Sequence, residues 1–158
     1  MRATAKPMSE NKGLSRSQAR LAAVQALYQM DLAETDLAEV IEEFKTHRLN
    51  PGGEGAAAGG DADHFARVLH GVVRLQRDID PMIDHQLATG WRLVRVDAIL
   101  RAGAFELIEL ADVPVRVVIN EYVEVAHAFL EGDESRVVNG VLDQIARKVR
   151  PGELPARP

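Results

Sequence analysis

"VVNGVLDQIARKV", residues 137–149, decides between two folds. An Asn-Gly pair between apolar residues is the strongest short-range signal for a two-residue β-hairpin turn. Yet Val137, Val138, Val141, Leu142, Ile145 and Val149 fall at the three- and four-residue spacing of one helix face. The arms of a hairpin would have to alternate apolar and polar residues, and Leu142-Asp143-Gln144-Ile145-Ala146-Arg147 does not. A lone hairpin would also need a sheet to join. The stretch therefore reads as a helix that carries Gly140 in its interior, at a cost of about 1 kcal/mol. That cost predicts a packing reason. Asn139 is expected buried and hydrogen-bonded across a helix contact, Gly140 pressed against a neighbour, and Asn120 and Glu121 in the preceding helix as partners of the pair.

Working outward, every neighbour of this stretch is helical. Ser15 and Gln18 form a capping-box pattern ahead of the stripe Ala19, Ala22, Ala23, Ala26, Leu27 and Met30, which predicts a first helix from about Arg16 to about Leu32. Asp36 and Glu39 repeat the logic before Leu37, Val40, Ile41 and Phe44. Residues 49–61, with five glycines between Gly52 and Gly60, read as a flexible loop. Asp61 or Asp63 caps a third helix marked by Phe65, Val68, Leu69, Val72 and Val73, and Asp80-Pro81 predicts a fresh start. Val96, Ile99, Leu100, Gly103 and Leu107 mark a fifth helix. The β-branched run VPVRVVI at 113–119 could be a strand, but Val115, Ile119, Tyr122, Val123, Ala126 and Phe129 sustain a helical period too long for one. Asp133 is placed to cap the last helix. The expectation is an all-α chain of about seven helices forming one domain over residues 15–151, with a mobile basic tail at 1–14 and a second tail at 152–158.

Composition narrows the function. The 158 residues include no cysteine, which excludes disulfides, thiolate metal sites and cysteine nucleophiles. No segment approaches the 18 or so consecutive apolar residues of a membrane span, and the N-terminus lacks the apolar run of a signal peptide, so a cytoplasmic location is expected. The net charge of −5 conceals an asymmetry: residues 1–20 hold five basic side chains against one acidic, and residues 21–60 hold two against seven. A basic arm can attract phosphates even on an acidic protein. Of the five histidines, His127 sits in an E-x-x-H pair with Glu124, but helical di-metal sites need two such pairs and further carboxylates. Neither a nucleophile elbow, a phosphate-binding glycine loop nor a dinucleotide fingerprint is present. No catalytic residue, metal, cofactor or small-molecule substrate is expected.

The runs AVQALYQMD at 23–31, F-x-x-x-L-x-G-V at 65–72, ILRAGAFEL at 99–107, DVPVRVVINEYVEVA at 112–126 and VVNGVLDQIA at 137–146 occur in the order seen in one family. By them the chain resembles the NusB family of bacterial transcription antitermination factors over nearly all of residues 15–151. The resemblance implies two small helical bundles packed together. It implies binding of the single-stranded boxA element of ribosomal RNA operon transcripts, together with NusE, a small-subunit ribosomal protein, and read-through by RNA polymerase. The family's RNA contact centres on an arginine-rich start to the first helix. Here Arg16 and Arg20 match that pattern, Ser17 and Gln18 stand where arginine is frequent, and Lys12 adds a charge from the tail. Gln18 is counted with Lys12, Arg16 and Arg20 as an RNA-contact residue, and Arg92, Arg95 and Arg101 as further phosphate candidates. The NusE surface is expected near Phe105, Glu106, Asp133, Arg136 and Val137. The competing expectation is a helical protein-interaction module that binds no RNA. The same helical domain also resembles the N-terminal part of some ribosomal RNA cytosine methyltransferases, but an enzyme fragment is not the expectation for residues 1–158, which hold no strand–glycine loop–helix unit.

Overall fold

In a computed structural model, which describes residues 8–53, 55–87, 94–130 and 133–155, the chain forms six helices: α1 (Met8–Ala33), α2 (Leu37–His47), α3 (Ala62–Gln86), α4 (Val94–Glu109), α5 (Val115–Phe129) and α6 (Glu134–Val149). There is no strand among the described residues, and none of the helices is long and apolar enough to cross a membrane. Helices α1, α2 and α3 pack on one another, as do α4, α5 and α6. The two bundles meet where α4 lies against α1 and α3, with further contacts of α1 to α5 and α3 to α6.

Residues 137–149 are helical, as the spacing predicts, and Val138, Val141, Leu142 and Ile145 are buried. The packing reason expected for Asn139 and Gly140 is absent. Both residues are exposed, and a Cβ built on Gly140 would meet nothing within 4 Å. Asn120 is exposed as well, so the expected network of Asn120, Glu121, Asn139 and Gly140 does not exist; Glu121 turns instead towards α1. The close approaches fall on other glycines. A Cβ on Gly71 of α3 would lie 1.9 Å from Cε1 of Phe105 in α4, and one on Gly103 would lie 2.9 Å from the methyls of Leu142. Phe105 thus fills the space of a missing side chain and joins the bundles.

Three boundaries differ from expectation. Helix α1 begins at Met8, so residues 8–14 of the expected mobile tail are helical, and Ser15 is not a cap. Its hydroxyl donates to the Gly59 carbonyl at 3.1 Å, and its carbonyl accepts from the Asp61 amide at 3.0 Å. These bonds tie the end of the glycine-rich loop to α1, with Leu49 and Ala57 of the loop buried. Asp61 then caps α3, accepting from the His64 amide at 3.0 Å. Helix α3 runs through Pro81 instead of restarting there, which makes six helices from an expected seven. Proline denies the carbonyl four residues earlier its partner. Arg77 and Pro81 both lie on the exposed side, where water can take that role, while Ile79 and Ile83 keep the buried register across the proline.

The third difference is at the C-terminus. Arg150 follows α6 and lays its guanidinium over the end of α4, donating to the carbonyls of Glu106 (3.0 Å), Leu107 (2.8 Å), Leu110 (2.7 Å) and Val113 (2.5 Å). Helix ends leave four carbonyls unpaired, and this one side chain serves two of the last four of α4, at Glu106 and Leu107, and two carbonyls of the turn that follows. Glu153 accepts from the Val115 amide at 2.6 Å, answering the first orphan donor of α5. With Leu154 buried, part of the expected tail is a latch over the α4–α5 corner.

Two alanine substitutions are expected to move stability in opposite directions. Gly140→Ala adds a methyl group in open space and removes backbone freedom from the unfolded chain, so it should stabilise by up to about 1 kcal/mol. Gly71→Ala must displace the Phe105 ring and should cost about 1–3 kcal/mol or more. The urea midpoints of the two variants against the parent chain check both signs.

Candidate nucleic-acid interface

Beneath the middle of α1 lies a charged cluster built from four helices. Arg20 stands beside Ala19 and three residues before Ala23, on the buried stripe of α1, and is 2% exposed. Glu106 stands between Phe105 and Leu107 in α4 and is fully buried. The two meet as a fork: Arg20 Nε donates to Glu106 Oε2 at 2.8 Å and Nη2 to Oε1 at 3.0 Å. Tyr122 of α5 donates its hydroxyl to the same Oε2, and His64 Nε2 of α3 lies 3.4 Å from it. Burial by itself would raise the Glu106 carboxyl. The hydrogen bonds from His64 and Arg20, with the charge of Arg20, outweigh it and hold the group at about 2, below its ordinary 4.5. Tyr122 is pushed well above 10 by burial and by the neighbouring carboxylate. Arg20 is opposed by burial, but its bond to Glu106 dominates and strengthens its hold on the proton.

The cluster reaches the surface through Glu121. Its Oε1 lies 3.6 Å from Arg20 Nη1, and Ser17 Oγ is 2.8 Å from both of its oxygens. Glu121 lies where adjoining depressions meet along the seam of α1 and α5. One is lined by Gly13, Arg16, Arg20, Pro114 and Val117; the next by Ser17, Gln18, Leu21, Glu124 and Val125. Arg16 is half-buried, and its Nε has no hydrogen-bond partner.

Several residues expected to touch RNA or protein are placed otherwise. Arg20 is a buried strut, not a free phosphate contact, because Glu106 and Glu121 engage it. Arg101 is likewise paired, with Asp31 at 2.8 Å and Asp80 at 2.9 Å, and ties α4 to α1 and α3. Phe105 and Glu106 are buried and offer no surface to a protein. Arg16 and Gln18 do line the seam. Lys12 belongs to α1, but its side chain, that of Arg95 and the whole of Arg92 lie outside the described residues. On α6, Asp133 and Arg136 are exposed, 3.8 Å apart, and Val137 is half-buried beside them. Sequence reasoning missed Ser17, His64 and Tyr122. The signal available was a charged residue inside an apolar stripe, at Arg20 and again at Glu106, each of which demands a buried partner. Among the described residues, no group of three or more His, Asp or Glu side chains is arranged to hold a metal.

The sequence pattern of the NusB family matches residues 17–147. The chain is 51% identical over 153 residues to the transcription antitermination protein NusB of Rhodopseudomonas palustris strain HaA2, covering 94% of this chain and 90% of that protein. It is 53% identical over 140 residues to the NusB of Allorhizobium ampelinum, covering 85% and 88%. Among solved structures, T. maritima NusB superposes with a TM-score of 0.71 at 31% identity, covering 87% of this chain and 94% of that one. A chain from a crystal structure of the antitermination factors NusB and NusE in complex with dsRNA superposes with a TM-score of 0.65 at 28% identity, covering 85% and 97%.

The buried cluster makes the protein acid-sensitive with a defined sign. A carboxyl held at about 2 when folded, against 4.5 otherwise, contributes stability above pH 4.5 and loses it as the pH falls towards 2. Urea midpoints measured across that window should fall for the parent chain. Glu106→Gln should be less stable at pH 7 and show a shallower fall. Arg20→Met strands the Glu106 carboxylate and should cost about 3–5 kcal/mol at neutral pH.

Proposed function

The chain belongs to the NusB family, and from that premise we propose that it is a cytoplasmic, non-catalytic transcription antitermination factor that binds RNA together with NusE. The RNA is the boxA element of ribosomal RNA operon transcripts, and the complex promotes read-through by RNA polymerase. The observation that carries this reading is the similarity of the whole helical body to a NusB chain solved with NusE and RNA.

The seam of α1 and α5 suits a phosphate backbone at Arg16, with Gln18 beside it and Lys12 one helical turn earlier on α1. Arg92 and Arg95 complete the proposed RNA set; Arg20 supports it from beneath. The exposed start of α6, with Asp133 and Arg136 around half-buried Val137, is the proposed NusE surface. An apolar side chain within a polar rim is the usual anatomy of such contacts.

One observation favours the competing reading, a protein-interaction module without RNA binding. Arg20 and Arg101 are spent on internal pairs, which leaves fewer cations for phosphate. A titration of labelled boxA RNA, with and without NusE and at two salt concentrations, separates the two. Arg16→Ala should weaken binding and flatten the dependence of log affinity on log salt by about 0.7, the contribution of one single-stranded phosphate contact. Val137→Asp should abolish co-purification with NusE while the circular dichroism spectrum is unchanged. A protein that binds NusE but no RNA at low salt would establish the competing reading.

A further inference from the structure

Glu121 is held in a way that its neighbours are not. Glu124 and Asn120 on the same helix are exposed, whereas the Glu121 side chain is 25% exposed. Its two oxygens lie 2.8 Å from the Ser17 hydroxyl, with the Arg20 guanidinium 3.6 Å away. A hydroxyl and a guanidinium converging on two oxygens of one anion is also how proteins hold a phosphodiester. The carboxylate occupies that position at the bottom of the seam, next to Arg16, whose Nε is buried without a partner. Val117, 41% exposed, and Pro114 form an apolar wall on the α5 side.

We propose that Glu121 is a built-in competitor for an RNA phosphate. Its carboxylate takes the Ser17 hydroxyl in the free protein and must swing aside, into the adjoining depression that Asn120 borders, before a phosphodiester can take that hydroxyl beside Arg16, while Arg20 stays paired with Glu106 beneath. This inference rests on the RNA-binding reading above. Its consequence is that Glu121 sets both affinity and salt sensitivity. An RNA phosphate replaces one anion with another and releases fewer counterions than a vacant site would, so binding is weaker and less salt-dependent than the cations alone would give.

The test uses the full chain with NusE and labelled boxA RNA over a range of salt concentrations. Glu121→Gln retains an acceptor for Ser17 and removes the charge. It is expected to tighten binding about three- to tenfold and to steepen the salt slope by about 0.7. Glu42→Gln makes the same change in net charge on the exposed face of α2, away from the seam of α1 and α5, and should have a smaller effect on both. Glu121→Ala, which removes charge and acceptor together, should tighten binding as Glu121→Gln does and guards against misfolding of a single variant. Urea midpoints confirm that each variant is folded. Equal tightening by Glu121→Gln and Glu42→Gln would reduce the effect to general charge and overturn the proposal. So would unchanged or weakened binding in both Glu121 variants while the parent chain binds RNA. Absence of RNA binding by the parent and every variant would overturn the RNA-binding reading itself, a result distinct from the others.

Discussion

A guanidinium and a carboxylate removed from water each lose several kcal/mol of hydration, and their attraction repays that loss only if the geometry is close and the remaining lone pairs are used. Arg20 and Glu106 meet both conditions. The fork supplies two charge-assisted bonds, and Tyr122 and His64 attend the oxygen that a single partner would leave underused. Because the four side chains come from α1, α3, α4 and α5, the requirement for a complete set fixes how the two bundles sit on each other. A rotation or slide of α4 against α1 would break a bidentate bond in a dry interior. The apolar contacts around it, led by Phe105 against Gly71, fill space but tolerate more ways of packing.

The same cluster governs what remains on the surface. Of the arginines near α1, one is locked to Glu106 and another to Asp31 and Asp80, so internal order takes charge away from the face where phosphate is expected. Glu121 belongs to both regimes. One side of it completes the field around Arg20, and the other borders the seam that Arg16 opens onto. A change at this residue therefore acts on stability and on binding through different neighbours, and a urea midpoint and a salt slope separate the two.

The helices were legible because burial follows periodicity. The stripes read from Ala19 to Met30, Phe65 to Val72 and Val138 to Ile145 are largely the stripes that pack. The breaks were less legible. Asp80-Pro81 carries a helix-start signal, yet tertiary burial of Ile79 and Ile83 on either side holds α3 together. Local chemistry at Ser15 was similarly overridden, because a helix can pass through a capping pattern when the serine has a loop to hold. Asn139-Gly140 misled in the opposite way. A glycine in a helix raises the question of what presses on it, and here nothing does, whereas Gly71 and Gly103, which are pressed upon, lie within ordinary apolar runs. Sequence spacing states that a residue is on a face; it does not state what faces it.

Charged residues were the least legible, for the same reason. Arg16 and Arg20 stand one turn apart and look equivalent in sequence, but the rotation of α1 puts Arg20 under the seam and Arg16 at its edge. Distinguishing them requires knowing that Glu106, 86 positions away, points at one and not the other. The net charge of −5 then has a structural reading. With part of its positive charge committed to internal pairs, the face at α1 presents a weaker field than the count of arginines suggests, and long-range attraction of a polyanion scales with the charges left unpaired at the surface.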